Sequence, residues 1–535
     1  MLITSSYFVK RLCLLAALVL TLDGTIHAAE QTAGQPPASA PTARFDIHEY
    51  RVLGNTVLSN RDIESVLYPL LGDHKSIDDV QVARTVLEKT YHDHGFATVF
   101  VDIPEQDVKD QIVRLKVTEG RLNSVRITGA RYFSEGKILA ALPAAVPGQV
   151  PNLTELQRQL TAINVESADR AVVPVLKAGP TPGTLDLALN VNDHLPVHGS
   201  LEINNQNTPD TRVLRLIGSL SYNNLFQTFD SVSAQYQVSP QEVSQVNVLA
   251  LNYAWGTPLA GFHPSVYFIN SNSNVPTVGT IGVLGAGQIF GARFAFPMTD
   301  AAVPTQTVTL GIDYKHFRET IGLDGAPAVI TPISYLNLSL GYTGFYSSDW
   351  WQGSLGTTAN FGPRGIPNNP QTFADKRYRG RPNYFYLKID SSWTAHLPKG
   401  FQLLLRANGQ FAPEPLITNE DYTITGADGV RGYLEAEVLA DTGYKGTVQF
   451  QSPFARWGTR QLGDLFMFFD AGRTDFVNPL PGEPQTTELR SWGAGLDVLP
   501  GQSVNGVLTW ADPLSDGPNT HRGDWRVLFV IRSSF

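Results

Sequence analysis

At 535 residues, with 17% charged residues, 10% aromatics and 47 glycines, the chain is too long for one ordinary soluble domain. It is neither disordered nor a helical membrane protein. A formal net charge of −9 argues against a nucleic-acid partner, and a lone cysteine, Cys13, excludes a disulfide framework or a thiolate metal site.

Residues 1–28 read as a secretory signal: Lys10 and Arg11, an apolar run from Leu12 to Leu22, then Ile26-His27-Ala28 before Ala29. The run is well short of the roughly 20 apolar residues that span a bilayer as a helix, and no other stretch comes closer. Cys13 lies inside the signal, so the mature chain holds no thiol at all. Removing the signal takes away Lys10, Arg11 and Asp23 and leaves the mature chain one charge more acidic. Residues 29–43 are rich in Pro, Ala and Gln and predict a flexible or extended leader.

Folded structure is expected from Phe45. FDIHEYRVLGN has strand composition and ends in Gly54-Asn55; Ser59-x-x-Asp62 predicts the cap of a helix reaching toward Leu71. Ser76-x-x-Asp79 opens a second helix carrying Val80, Ala83, Val86 and Leu87 at helical spacing, and Gly95 stops it. Strands over 97–103 and 111–117 complete a β-α-α-β-β unit. The order then repeats over 121–194: strand LNSVRITG, a helix capped by Asn152-x-x-Glu155 with Leu156, Leu160 and Ile163, then strands AVVPVLKAG and TLDLALNV.

From residue 197 to the end, alternating apolar and polar runs of roughly 10 to 14 residues predict strands with lipid on one face and water on the other. In VTLGIDYKHF, Val308, Leu310, Ile312 and Tyr314 share one face and Thr309, Gly311, Asp313 and Lys315 the other. FYLKIDSSW alternates likewise, Phe385, Leu387, Ile389 and Trp393 opposite Tyr386, Lys388, Asp390 and Ser392. About 16 such runs, with breaks such as Thr208-Pro209-Asp210, Pro398-Lys399-Gly400 and Pro500-Gly501, fit a closed antiparallel barrel, because lipid offers no hydrogen bonds to an open sheet edge. The last strand ends on Phe535, with Val527, Phe529 and Ile531 on one face.

Inside this β-rich half stands TITGADGVRGYLEAE, residues 423–437. An arginine among glycines in a loop is ordinarily a solvated charge. Enzyme signals are weak: His92-x-His94 lacks a third ligand and reads as a solvated helix end, and there is no phosphate-cradling loop, reactive cysteine or hydrolase elbow. The acidic stretch Asp512 to Asp516 reads as a solvated loop. No metal and no cofactor is expected.

Four groups of residues together resemble one family: Phe45-x-Ile47 with Val52-x-Gly54-Asn55; Pro104-x-Gln106-Asp107 with Leu115-x-Val117-x-Glu119-Gly120; Val430-Arg431-Gly432-Tyr433; and Phe468-x-Asp470-x-Gly472. The β-α-α-β-β units resemble polypeptide-transport-associated (POTRA) domains, and the chain from Phe45 to Phe535 resembles the TpsB transporters of two-partner secretion, the haemolysin secretion/activation proteins of the BamA-like superfamily. The resemblance implies two periplasmic POTRA domains, at 45–120 and 121–194. They feed an outer-membrane barrel at 197–535, which secretes a TpsA-type exoprotein in unfolded form without an enzymatic step. It implies a loop, about 414–442, folded into the pore, with Val430, Arg431, Gly432 and Tyr433 at its tip. Phe468, Asp470 and Gly472 then share the inward face of one strand, so Asp470 offers Arg431 a bidentate partner worth roughly 1 to 3 kcal/mol. Substrate capture is expected at the edge strand Thr98, Val99, Phe100, Val101, Asp102 and Ile103 and the adjoining second helix, where an extended chain can add as a further strand; the competing reading is that Val99 and Val101 are core, which holds for whichever members of that strand face inward. Phe535 is expected as a signal to the barrel-assembly machinery, and outer-membrane lipid as the barrel's surroundings. Residues 29–43 are too short for the plug helix of the best-known members, and Gln111, where the family more often has glycine, is expected to affect only a turn. The competing readings are a passive solute porin with periplasmic adaptors and a BamA-like or TamA-like assembly factor.

Overall fold

The computed structural model describes residues 44–535 apart from 109, 257–260, 274, 279–280, 284, 301–302, 322–328, 366, 458–459, 483 and 500–502. The expected signal and leader, and the break at Pro500-Gly501, lie outside the described residues. The chain divides into two compact units, to Glu119 and from Gly120 onward.

In the first unit Ile112–Glu119 is the central strand, parallel to Glu49–Leu53 and antiparallel to Val99–Asp102. Helices Asn60–Leu67 and Ile77–Asp93 cover this sheet, burying Ile63, Leu67, Val80, Ala83, Leu87 and Tyr91 with Val99, Val101, Val113, Leu115 and Val117. Ser59 Oγ accepts from Asp62 N, and Ser76 and Asp79 form a reciprocal capping box. Two details depart from the sequence reading. The first strand breaks at His48, and its opening piece, Phe45–Ile47, pairs with Gly72–Lys75. That second piece was not foreseen: Gly72-Asp73-His74-Lys75 is polar, and Gly72 and His74 hold φ of +140° and +59°. Gln111 also sits at a left-handed φ of +62°, a conformation that glycine adopts without strain.

The second unit opens with the same plan. Thr184–Asp193 lies between Arg121–Thr128, parallel, and Arg170–Ala178, antiparallel, under helix Leu153–Glu166. An additional helix, Glu135–Ala140, escaped the sequence reading because six residues with one buried apolar side chain, Ile138, carry no periodicity. The kinship of the repeats is visible in one device. Gly54 and Gly129, both with φ near +90°, press against the carbonyls of Val117 and Val191, where a Cβ would approach to 2.5 and 2.2 Å. Just beyond those carbonyls Glu119 accepts from Thr56 N and Val57 N, and Asp193 from Arg131 N, Tyr132 N and Phe133 N.

Among the described residues, sixteen antiparallel strands from Val197–Asn204 to Arg526–Ser534 close into a barrel, with Ala455–Trp457 as a short side strand. Alternation places Leu310, Ile312, Tyr314, Phe385 and Ile389 outside, and Asp313, Lys315 and Tyr386 inside and buried. The seam pairs the last strand with the first from Val530↔Asn204 to Ser534↔Ser200. Gly199 and Phe535 then exchange backbone bonds of 3.1 and 3.0 Å. Because the first strand leaves the POTRA fold, every second hairpin loop, 205–214, 362–384, 412–441 and 514–525 among them, lies at the far end. The outer end of the lumen is filled by an apolar cluster. Helix Pro370–Lys376 contributes Phe373, the start of the 412–441 segment Ala412, Leu416 and Ile417, and the wall Tyr267, Ile269, Phe317, Ile333, Tyr335 and Tyr386.

Candidate functional site

The loop of residues 412–441 leaves strand Gln402–Phe411, enters the lumen and returns to strand Thr442–Gln451. Its tip folds on itself: Val430 N donates to Ile424 O at 2.7 Å and Ala427 N to Glu435 Oε1 at 2.6 Å. Gly426 and Gly432 turn at φ of +111° and +99°, which glycine alone adopts without strain.

Arg431 at that tip meets strand Arg460–Asp475. Its Nε donates to Asp470 Oδ2 at 2.8 Å, its Nη2 to Asp470 Oδ1 at 2.9 Å and its backbone N to Oδ2 at 3.1 Å. A third side-chain bond runs from Nη1 to Gln449 Oε1 at 3.0 Å, and the guanidinium carbon lies 3.3 Å from the Phe468 ring centroid. The Asp470 side chain is fully buried and that of Arg431 is 12% exposed. Each member of Phe468-x-Asp470-x-Gly472 therefore has a physical part: a ring to stack on, a carboxylate fork, and a gap. At Gly472 a Cβ would stand 3.1 to 3.2 Å from Ile424 and Val430 side chains, which pack there with Tyr433, Val438 and Leu489. Tyr433 Oη donates to Ser515 O at 2.6 Å, tying the tip to the 514–525 loop.

Sequence reasoning missed a second anchor of the same loop. Glu420 is buried, and its Oε1 accepts from Lys315 Nζ at 2.5 Å and from Tyr335 Oη, its Oε2 from Tyr386 Oη at 2.6 Å. Gln410 Nε2 donates to the Glu420 carbonyl at 2.9 Å. Lys315, Tyr335, Tyr386 and Gln410 stand on four strands remote in sequence from Arg460–Asp475. Lys315 already fell on the lumen face by alternation, an inward charge without a named partner, and that was the available signal. Glu437, also unforeseen, accepts from Thr520 N at 2.7 Å and Asn519 N at 2.8 Å.

In the first POTRA-like unit, Val99–Asp102 is an edge strand flanked by Thr98 and Ile103. Val99 and Val101 are buried and Phe100 is 59% exposed. Its outward backbone is already engaged: Glu88 Oε2 accepts from Val101 N at 3.1 Å, Arg84 Nη1 donates to Val101 O at 3.4 Å, and His92 Nε2 lies 3.1 Å from Val99 O. His92 and His94 are exposed at the end of their helix, as expected; His92 also contacts the strand, and His94 Nδ1 bonds Thr90 O at 2.8 Å. The Phe535 ring projects over Gly199, where a Cβ would meet it at 2.4 Å, and is otherwise exposed.

Comparison with known proteins follows the same division. Residues 45–120 match the POTRA domain, ShlB-type, and residues 183–498 match the profile "Haemolysin secretion/activation protein ShlB/FhaC/HecB". The outer membrane transporter CdiB of Dickeya dadantii is 23% identical over 468 residues, covering 85% of this chain and 80% of its own. The heme/hemopexin transporter protein HuxB of Haemophilus influenzae is 20% identical over 500 residues, covering 88% and 84%. Among solved structures, CdiB from Escherichia coli superposes with a TM-score of 0.61 at 18% identity over 94% of this chain and 93% of that one. BamA from Haemophilus ducreyi lacking POTRA domains 1–3 gives 0.57 at 11% identity, over 92% and 100%; both likenesses are of fold.

Proposed function

The chain belongs to the haemolysin secretion/activation family ShlB/FhaC/HecB, outer-membrane transporters that secrete partner exoproteins, and from that premise we propose that the Arg431–Asp470 contact is the latch of its pore. The partner reaches the periplasmic POTRA domains unfolded, is captured as an added strand on the Val99–Asp102 edge, and passes through the lumen once the loop of residues 412–441 moves. Among the solute-porin, assembly and secretion readings, the one observation that carries this is the buried two-bond pairing of Arg431 with Asp470. A pore for small solutes needs no loop clamped through a stacked, desolvated guanidinium. Such a contact biases a two-position loop without fixing it, since a paired buried charge is strongly held while both partners stay and costly once one leaves.

The test is a double-mutant cycle on secretion and single-channel conductance. Arg431→Ala and Asp470→Ala should each impair secretion with the barrel still inserted, and the double mutant should be little worse than either single. Additive losses in both assays would rule out the pairing as the functional unit.

A further inference from the structure

The engaged edge of the first POTRA domain has a geometry of its own. Arg84, Glu88 and His92 stand four residues apart on helix Ile77–Asp93, so they form one stripe advancing about 6 Å per step. Outward-facing residues of a strand recur every second residue, about 6.6 to 6.8 Å apart. The stripe runs antiparallel to the edge, with Arg84 and Glu88 both at Val101 and His92 at Val99. Arg84 donates to Val101 O, Glu88 accepts from Val101 N, and His92 donates Nε2–H to Val99 O, since a carbonyl only accepts. The last outward group, Val99 N, donates to Phe96 O at 3.1 Å. Helix side chains and a local turn thus stand where the backbone of a neighbouring strand would stand.

The second POTRA domain handles its edge differently. Strand Arg170–Ala178 is also an edge, and there Asn164 alone does the work: Nδ2 donates to Val172 O at 3.0 Å and Oδ1 accepts from Val172 N at 2.8 Å. Two residues on, at the next position of the same parity, Pro174 has no N–H to offer an incoming chain. That edge lacks one donor by its covalent structure. At Val101 the first is closed by an ion pair, Arg84 to Glu88 at 3.3 Å with side chains 36% and 23% exposed, which water and an arriving peptide can reach.

We propose that the Arg84–Glu88–His92 stripe is a surrogate strand that gates the capture site, occupying the Val99 and Val101 backbone until an extended client segment displaces it. The fitting client is a β-prone segment whose apolar side chains alternate, so that one row packs on the exposed ring of Phe100. Gating also prevents unpaired edges of neighbouring copies from joining, a hazard of any open strand. The inference rests on the reading that the client docks on this edge, and its consequence is opposite in sign to a contact role: removing Glu88 strengthens capture.

The experiment uses the full chain in lipid nanodiscs and a fluorescein-labelled Thr-Val-Thr-Val-Thr-Val-Lys-Lys peptide as the extended probe. Glu88→Ala should speed hydrogen exchange at the Val101 amide and tighten probe binding, each by about tenfold, the worth of one charge-assisted bond. Asn164→Ala should leave probe binding unchanged. Val101→Pro, which removes the outward N–H together with a buried side chain, should abolish binding in either background in protein that keeps the wild-type thermal melt, and Phe100→Ala, at an exposed position, should weaken binding without touching the core. If Val101→Pro binds the probe as wild type does, docking on this edge is wrong. If Val101→Pro abolishes binding while Glu88→Ala weakens it or leaves it unchanged, docking stands and the gate is overturned; an equal gain from Asn164→Ala overturns the contrast between the two edges.

Discussion

Arg431 does with one side chain what no lysine can repeat. Its fork meets both Asp470 oxygens, a further nitrogen reaches Gln449, and its flat face lies on Phe468. Lysine offers a point charge on a flexible stem, so Arg431→Lys should keep the barrel inserted yet restore little secretion. Removing the arginine outright leaves a carboxylate buried without its counter-charge, a loss on the order of 3 to 5 kcal/mol in the loop-in state. Secreted partner measured for Arg431→Lys decides the matter, since recovery to wild-type level would mean that charge alone suffices. Alternation along its strand places Asp470 on one face with Phe468 and Gly472, whereas Arg431 in its glycine-flanked loop reads locally as a solvated charge and is paired with Asp470 only by the family resemblance. Gln449 and the stacking distance were not legible in sequence, because they depend on how strand Thr442–Gln451 registers against its neighbour.

At the level of the element, the loop of residues 412–441 is held at both of its sides. The tip is on Asp470; the outgoing leg is on Lys315, Tyr335 and Tyr386 through Glu420. Tethers on different strands are separate interactions, and sites without shared partners act close to additively. Glu420→Gln keeps the volume and removes the charge, leaving Lys315 buried and unpaired. It should raise single-channel open probability, and should add to the effect of Arg431→Ala rather than be masked by it. An unchanged conductance record for Glu420→Gln would mean that the apolar packing of Leu416, Ile417 and Phe373 holds this leg without the carboxylate. The helix Pro370–Lys376 that shares the cluster was invisible beforehand, as seven residues inside a long loop carry too little periodicity to announce a helix.

For the whole molecule, the division into two units makes separable predictions. Gly120 to Phe535 forms a compact unit with every barrel strand inside it, so deleting residues 45–119 should leave a heat-modifiable, inserted barrel that exports no partner. Normal export from that deletion would remove the first POTRA domain from the capture step. At the other end, Phe535 exchanges backbone bonds with Gly199 beyond a seam of five paired positions. Deleting Phe535 should lower the amount of barrel in the outer membrane while signal cleavage continues, read by immunoblot of membrane fractions; undiminished insertion would count against a role in assembly.

The sequence by itself determined the β-α-α-β-β plan of the first unit, all but one short helix of the second, the two-faced strands and the shared face of Phe468, Asp470 and Gly472, because capping boxes, helical spacing and strict alternation are local codes written within a few residues. It also predicted a strand over 97–103, while which of its residues face the core fell to the structure, which buries Val99 and Val101. Only the tertiary structure decided that this edge is occupied by Arg84, Glu88 and His92, that Glu420 finds Lys315 across 105 positions of chain, and that Phe468 lies beneath the guanidinium. Each of these contacts joins segments whose neighbourhood is set by sheet order, register and barrel closure, and no local pattern records which distant residue a side chain will face.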